Sequence, residues 1–127
     1  WDTTLSKTLI IYDGSKANEK NLERIPKNVD IAKVTSDNPK LVSNILAQKG
    51  CNKILWECGP KLATAAVKSG SIQECITFIA PKILGGDACM TAFTNFKFTS
   101  IKEVINLQLR DFNRFGDDIC FLSNLNN

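Results

Sequence analysis

The 127-residue sequence contains no histidine. Ser-His and Cys-His nucleophilic mechanisms and histidine metal sites are therefore excluded within this chain. Chemistry must rely on a carboxylate, a lysine, a bound cofactor or a combination of these. The five cysteines, at positions 51, 58, 75, 89 and 120, are odd in number and never form a C-x-x-C pair. We therefore expect reduced thiols in the core, with no disulfide frame and no bound metal.

The sequence also lacks a strong charge bias and a long apolar run. Its net charge of +3 comes from scattered residues, without a basic run or interleaved aromatic and basic side chains, so we expect no nucleic-acid partner. No apolar run approaches a membrane span, and the first four residues show neither part of a signal peptide, so we expect a cytoplasmic protein with no membrane partner. Its 43% hydrophobic content fits one domain over 1–127.

The stretch from Asn52 to Leu62 predicts a buried strand that turns into a helix. An apolar run, Ile54-Leu55-Trp56, stops at Glu57, turns at Gly59 and enters an apolar-periodic segment at Pro60. Gly59 allows a ligand to approach the backbone closely, and the first N–H groups of the helix carry partial positive charge, so a phosphate is a natural occupant. Any doubly wound domain needs such a turn, and the pattern alone favours neither interpretation.

A second candidate site follows the first predicted strand, Thr8–Tyr12. Asp13, Ser15 and Lys16 come directly after it, at the carboxyl end where α/β proteins bind ligands. They can hold a ribose or a phosphate of a cofactor, although exposed turn residues look the same. We include Asp13 and Ser15 among the candidate cofactor-binding residues.

The remaining pattern predicts alternating strands and helices followed by antiparallel strands. Two successive strand-helix-strand units indicate a parallel sheet, and the last third of the chain alternates without a long helix. We therefore expect a three-layer α/β/α fold with a mixed, mostly parallel sheet and antiparallel C-terminal strands. Its expected elements are a short helix in 17–24, a strand at 29–34, a helix capped by Asp37 and closed by Gly50, a strand at 53–57, a helix from Pro60 to Gly70, a strand at 75–80 and strands near 96–98, 104–109 and 119–122.

Two motifs at a fixed spacing resemble the reductase domain of the bifunctional riboflavin-biosynthesis deaminase/reductase. That domain has a dihydrofolate-reductase-like fold. The first is Leu55-Trp56-Glu57-Cys58-Gly59-Pro60-Lys61-Leu62, similar to the family's Glu-Gly-Gly-Pro-x-Leu. The second, Ala80-Pro81-Lys82-Ile83-Leu84-Gly85-Gly86-Asp87-Ala88, is similar to its Ala-Pro-Lys-x-Leu-Gly-Gly. Gly116-Asp117-Asp118 before the last strand also matches. The resemblance extends from about Thr8 to the end of the chain.

The resemblance implies an enzyme that uses NADPH to reduce the ribose of 5-amino-6-(5-phosphoribosylamino)uracil to an open ribityl chain. Glu57 matches the carboxylate that lines the substrate pocket, and we take it as the catalytic residue. Gly85 and Gly86 match the loop that closes on the nicotinamide. The cofactor's diphosphate would lie against the helix start formed by Cys58, Gly59, Pro60, Lys61 and Leu62.

The sequence departs from the family in two places. Cys58 replaces the first glycine of the family motif, and its side chain would narrow the approach to the diphosphate unless it points into the core. The family domain also begins with a strand-helix-strand region that precedes the part matched here, so the chain would supply about the C-terminal two-thirds of the domain. The resemblance further implies a homodimer and a deaminase domain upstream on a longer polypeptide.

Two other functions fit the same pattern. The fold can be retained as a non-catalytic module for dimerisation or for supporting an attached domain, with Cys58 as the sign of a relaxed cofactor site. Alternatively, the chain belongs to a related reductase with another pterin- or pyrimidine-like substrate. Saturable NADPH binding separates the first alternative from a reductase, and substrate profiling separates the second.

Overall fold

The computed structural model describes residues 6–83, 85 and 91–125. Contacts divide the chain into two compact units, Trp1–Ile54 and Leu55–Asn127. The first unit contains β1 (Leu9–Asp13), α1 (Glu19–Leu22), β2 (Asp30–Val34) and α2 (Pro39–Gln48). The second contains α3 (Pro60–Lys68), β3 (Glu74–Ile79), a short 3₁₀ helix (Ile101–Glu103), β4 (Leu107–Phe115) and β5 (Asp118–Leu125).

Strands β1 and β2 form a parallel pair, with Leu9 opposite Asp30 and Asp13 opposite Val34. The expected parallel pairing is present here. The two successive strand-helix-strand units predicted over 29–80 are wrong, because 53–57 forms no strand and β3 pairs antiparallel with β5. The carboxyl ends of the two strands are joined by a hydrogen bond of 2.9 Å from the Gly14 N–H to the Val34 carbonyl. A Cβ atom at Gly14 would overlap the flexible Lys33 side chain, which would have to move to accommodate a larger residue where the chain leaves β1.

Helix α2 begins one residue later than the sequence predicts. Its N-cap is Asn38, whose side chain accepts a hydrogen bond of 3.0 Å from the Lys40 N–H, and Pro39 occupies the first turn. The expected cap, Asp37, is wrong because its carboxylate pairs with Lys16 at 2.7 Å. The closing residue is confirmed, since Gly50 has a φ of 90° beyond the helix end.

The second unit contains an antiparallel sheet in the order β3-β5-β4. Cys75 lies opposite Ser123 in one ladder, and Leu107 lies opposite Leu125 in the other. The hairpin between β4 and β5 turns at Gly116, whose φ is 63°. The antiparallel C-terminal strands are confirmed, and together with the parallel β1-β2 pair they confirm a mixed α/β fold.

The expected buried strand at 53–57 is wrong. These residues form no regular element, and the Leu55 side chain is 78% exposed. A strand is stable only when its backbone N–H and C=O groups pair with a neighbouring strand, and among the described residues none pairs with this segment. The predicted strand at 96–98 is also not regular structure. Apolar runs alone did not specify pairing partners.

Large apolar side chains are exposed on both faces of the antiparallel sheet. Phe78 on β3 is 60% exposed and Phe112 on β4 is 66% exposed. The strand register places these two side chains on opposite faces of the sheet. The Phe78 and Phe115 rings contact each other with centroids 6.0 Å apart. A sheet with apolar residues on both faces is typical of strands that are covered on both sides.

The cysteines of the described residues are free thiols, as expected. Their placement is only partly as expected, because Cys51 and Cys58 are exposed while Cys75 and Cys120 are half-buried. Cys89 lies outside the described residues. Within the part of the chain that the structure describes, no helix is both long and apolar enough to cross a membrane, and no group of side chains has a metal-binding arrangement.

Candidate functional site

The start of helix α3 is an open, uncapped helix N-terminus. Gly59 is the N-cap, with extended backbone and no side-chain cap, and Pro60 occupies the first turn. The Ala63 N–H bonds the Gly59 carbonyl at 3.0 Å. The N–H groups of Lys61 and Leu62 lie in the turn where helix geometry offers no intrahelical acceptor. These two donors are therefore available to an anion.

The space and charge around this turn also suit an anion. A Cβ atom built on Gly59 would meet no heavy atom within 4 Å, so the backbone can be approached closely. The first turn contains no acidic residue. Lys61 places a positive charge at the positive end of the helix dipole, an unfavourable position that a bound anion would relieve.

Glu57 and Cys58 precede this turn, and both are exposed. No described residue forms a hydrogen bond or an ion pair with the Glu57 carboxylate, which leaves it available to a ligand. The Cys58 side chain is exposed and does not point into a core. A Cys58 side chain turned into the core, which would have left the approach to the diphosphate wide, is therefore not found. The thiol therefore borders the anion-accepting turn.

A hydroxyl inside α3 connects its first turn to the segment Thr91–Thr99. The Thr64 side chain donates a hydrogen bond of 2.8 Å to the Pro60 carbonyl and accepts one of 2.8 Å from the Thr94 N–H. One turn later, the Lys68 ammonium donates to the Asn95 carbonyl at 2.7 Å. The sequence pattern did not predict these contacts of Thr64.

The second candidate site joins the carboxyl ends of β1 and β2. The Asp13 carboxylate accepts hydrogen bonds from the Ser15 N–H at 2.9 Å and the Ser15 hydroxyl at 2.7 Å. The Lys16 ammonium lies 3.5 Å from Asp13 and 2.7 Å from Asp37. One cation therefore bridges two carboxylates beside a serine hydroxyl.

Hydrogen bonds and charge shift the pKa values in this second site. The Ser15 hydroxyl and N–H lower the pKa of Asp13, with a smaller contribution from the Lys16 charge. The hydrogen bond and charge of Lys16 lower the pKa of Asp37, and Asp37 in turn raises the pKa of Lys16. All three groups are ionised at neutral pH. Asp37 was missed as a site residue because its sequence position fitted a helix cap equally well.

The predicted site residues fall into separate groups. The structure brings Asp13 and Ser15 together in the first unit, whereas Glu57 and residues 58–62 form one continuous segment of the second unit. Gly85 is exposed, with no atom within 4 Å of a Cβ built there. Gly86 lies outside the described residues, so the closing loop stays a prediction.

Comparison with known proteins decides the family. A family model described as the RibD C-terminal domain matches residues 1–121. The chain belongs to the RibD C-terminal domain family. This confirms the resemblance drawn from the two motifs.

The RibD relatives are much longer than this chain. A riboflavin biosynthesis protein RibD from Synechocystis is 32% identical over 95% of this chain and 33% of its own length. The riboflavin biosynthesis protein PYRR, chloroplastic, of Arabidopsis thaliana is 26% identical over 94% of this chain and 20% of its own length. The chain thus spans a third or less of the length of these two curated relatives.

Solved structures confirm the fold of the RibD C-terminal domain. Acinetobacter baumannii RibD superimposes with a TM-score of 0.73 at 20% identity, covering 95% of this chain and 38% of that one. A pyrimidine reductase-like protein from Corynebacterium diphtheriae gives a TM-score of 0.76 at 17% identity, covering 94% and 50%. The dihydrofolate-reductase-like α/β fold expected from the sequence is thereby confirmed.

Proposed function

We propose that this RibD C-terminal domain belongs to an NADPH-dependent reductase of riboflavin biosynthesis. It would convert the ribose of 5-amino-6-(5-phosphoribosylamino)uracil to the open ribityl chain. The observation that carries the proposal is the family match over residues 1–121. The open N-terminus of α3, which falls on the family motif, supports the same function.

The residues at the start of α3 fit the diphosphate of a dinucleotide. Gly59 leaves the approach open, and the Lys61 and Leu62 N–H groups supply two donors. The Lys61 ammonium adds positive charge, while Cys58 and Pro60 border the turn. NADPH bound here would supply the hydride for the reduction.

Glu57 is the residue we assign to proton transfer. Opening a ribose ring at its anomeric carbon moves a proton as well as a hydride, and the chain has no histidine for that task. Glu57 is exposed at the entrance to the α3 turn, so its carboxylate can reach a ligand held there. It would hydrogen-bond the sugar and exchange the proton that accompanies ring opening.

We also assign a cofactor-binding role to the cluster at the end of β1, taken by itself within the first unit. Ser15 and Asp13 offer a hydroxyl and a carboxylate for ribose hydroxyls, and Lys16 offers a cation for a phosphate. Gly85 and Gly86 would form the loop on the nicotinamide side. These roles rest on the family resemblance and on the polar groups present.

We also propose the setting in which the domain acts. A deaminase domain would precede it on the polypeptide, and the protein would form a homodimer in the cytoplasm. The exposed apolar side chains of the β3-β5-β4 sheet support burial against further protein. The similar Arabidopsis protein is named chloroplastic, and fractionation of cells that express the full-length protein tests the compartment.

One observation favours a second candidate, a non-catalytic module of the same fold. Cys58 occupies a glycine position of the family motif and is exposed next to the diphosphate turn, where a glycine would leave more space. Such a module would fold and self-associate without responding to a dinucleotide. A reductase with another pterin- or pyrimidine-like substrate would bind NADPH but turn over a different compound.

Calorimetric titration of the full-length protein with NADPH separates these candidates. The reductase predicts saturable binding, whereas absence of binding at millimolar NADPH would leave the support module as the function. Cys58→Gly is an informative companion variant, because restoring the family glycine should tighten NADPH binding if the thiol narrows the approach. Substrate profiling with pterins and pyrimidines then separates the two reductases.

A further inference from the structure

The Thr64 hydroxyl connects the start of α3 to the segment Thr91–Thr99 of the second unit. It is 4% exposed and lies within α3, four residues after Pro60. Its proton goes to the Pro60 carbonyl at 2.8 Å, while its oxygen accepts the Thr94 N–H at 2.8 Å. Both capacities of the hydroxyl are thus used, as donor and as acceptor.

The Pro60 carbonyl belongs to the same peptide group as the Lys61 N–H. That N–H is one of the two first-turn donors available to an anion. A hydrogen bond to a carbonyl polarises its peptide group, and bonds in a chain strengthen one another. The Thr64 hydroxyl therefore adds a hydrogen bond on the carbonyl side of this peptide group, which increases the polarity of the Lys61 donor.

The partner segment is held at a second point on the same helix face. Lys68, four residues after Thr64, donates to the Asn95 carbonyl at 2.7 Å and lies 5.1 Å from the centre of the Phe96 ring. Asn95 has a φ of 60°, a conformation that few residues other than glycine adopt readily. The contacts at residues 94–96 therefore hold a tightly turned segment against α3.

We propose that Thr64 is a positioning residue for the diphosphate site, and that it couples anion binding at the start of α3 to the ordering of Thr91–Thr99. The coupling is reciprocal: an anion on the Lys61 N–H strengthens the hydrogen-bonded chain through Thr64 to Thr94, and loss of that chain weakens the donor. The inference rests on the proposed function, because it takes the anion to be the diphosphate of NADPH.

Three variants of the full-length protein test the role of the hydroxyl. Thr64→Val keeps the shape of the side chain and removes both hydrogen bonds, whereas Thr64→Ser keeps the hydroxyl. Thr77→Val is the matched control, because Thr77 is exposed on β3 and its hydroxyl contacts only Cys75 among the described residues. We expect the Kd for NADPH to rise about three- to tenfold in Thr64→Val and to stay within about twofold of wild type in the other two.

Turnover distinguishes positioning from catalysis. In Thr64→Val, KM for NADPH should rise by about the same factor as Kd while kcat stays within about twofold of wild type. Unchanged NADPH affinity in Thr64→Val would overturn the role of Thr64. A loss of NADPH affinity in Thr64→Ser as large as that in Thr64→Val would also overturn this role, because the hydroxyl would then not be responsible for the affinity.

Hydrogen exchange of the unaltered protein tests the coupling without any variant. Exchange of the Thr94 amide should slow when NADPH is bound, and an unchanged rate at saturating NADPH would overturn the coupling. If wild type does not bind NADPH at all, the proposed function fails and the positioning role fails with it. If wild type binds NADPH and Thr64→Val leaves the Kd unchanged, the role of Thr64 fails while the proposed function stands.

Discussion

The open cap of α3 allows one substitution to change stability and cofactor affinity in opposite directions. Gly59 provides no side-chain cap, and its φ of −72° with ψ of 170° is accessible to any residue. Gly59→Asp would add a capping carboxylate and place a negative charge at the positive end of the helix. From capping and the helix dipole together we expect a gain of about 0.5–1 kcal/mol in the free energy of unfolding.

The same carboxylate would compete with the diphosphate. It would take one of the free first-turn N–H groups and repel an anion a few ångströms away. Two unit charges about 4 Å apart repel by about 1 kcal/mol in water and about 4 kcal/mol near a protein surface. We therefore expect the Kd for NADPH to increase at least about tenfold, since each 1.4 kcal/mol is about a factor of ten.

Thermal unfolding and calorimetric titration measure the two effects on the same samples. The expected stabilisation corresponds to an increase of about 2 to 5 °C in Tm for a domain of this size. Ser100→Asp is the control, because Ser100 caps the short 3₁₀ helix in the same unit and receives the same added charge. If Gly59→Asp binds NADPH as tightly as Ser100→Asp does, the assignment of the diphosphate to this turn is wrong.

Three further predictions address the other assigned residues. Glu57→Gln should lower kcat about 100-fold or more with Tm unchanged, because the carboxylate is exposed and assigned to proton transfer; steady-state kinetics with wild-type kcat would contradict its role. The lowered pKa of Asp13 means that its stabilising contribution is present above the ordinary aspartate pKa and is lost as the pH falls through the lower folded-state value. In Ser15→Ala, the free energy of unfolding, measured in urea across a pH series, should therefore fall less steeply on the acid side. Identical pH dependence in Ser15→Ala and wild type would show that Ser15 does not lower the pKa of Asp13. The Phe112 side chain on β4 is 66% exposed, so Phe112→Lys should shift the proposed homodimer towards monomer in sedimentation experiments. The control Lys97→Glu should leave the dimer unchanged. A dimer that is unchanged in Phe112→Lys would place the interface elsewhere.

Local sequence signals predicted the elements that depend on local chemistry. Pro60 at a helix start and Gly70 beyond a helix end define α3, and Gly116 marks the turn of the C-terminal hairpin. These features follow from the allowed φ angles and missing donors of single residues. The motifs around Gly59 and Gly85 likewise identified the family, because two motifs at a fixed spacing are far more specific than one glycine turn.

The errors concern interactions between distant parts of the chain. The apolar run 54–56 predicted a strand, but a strand requires a pairing partner that periodicity does not specify. Asp37 fits a helix cap by position, yet its contact with Lys16, twenty-one residues away, makes Asn38 the cap. Thr64 likewise gave no sign in the sequence that its hydroxyl would accept the Thr94 N–H, thirty residues later.

The most direct test of the proposed reductase is transfer of a labelled hydride. The full-length protein is given NADPH carrying deuterium at the transferring carbon, together with 5-amino-6-(5-phosphoribosylamino)uracil, and the product is analysed by mass spectrometry. We expect a ribityl product that contains the deuterium, and we expect the rate of its formation to fall sharply in Glu57→Gln. A folded protein that binds NADPH but yields no deuterated product from this substrate would contradict the proposed reaction.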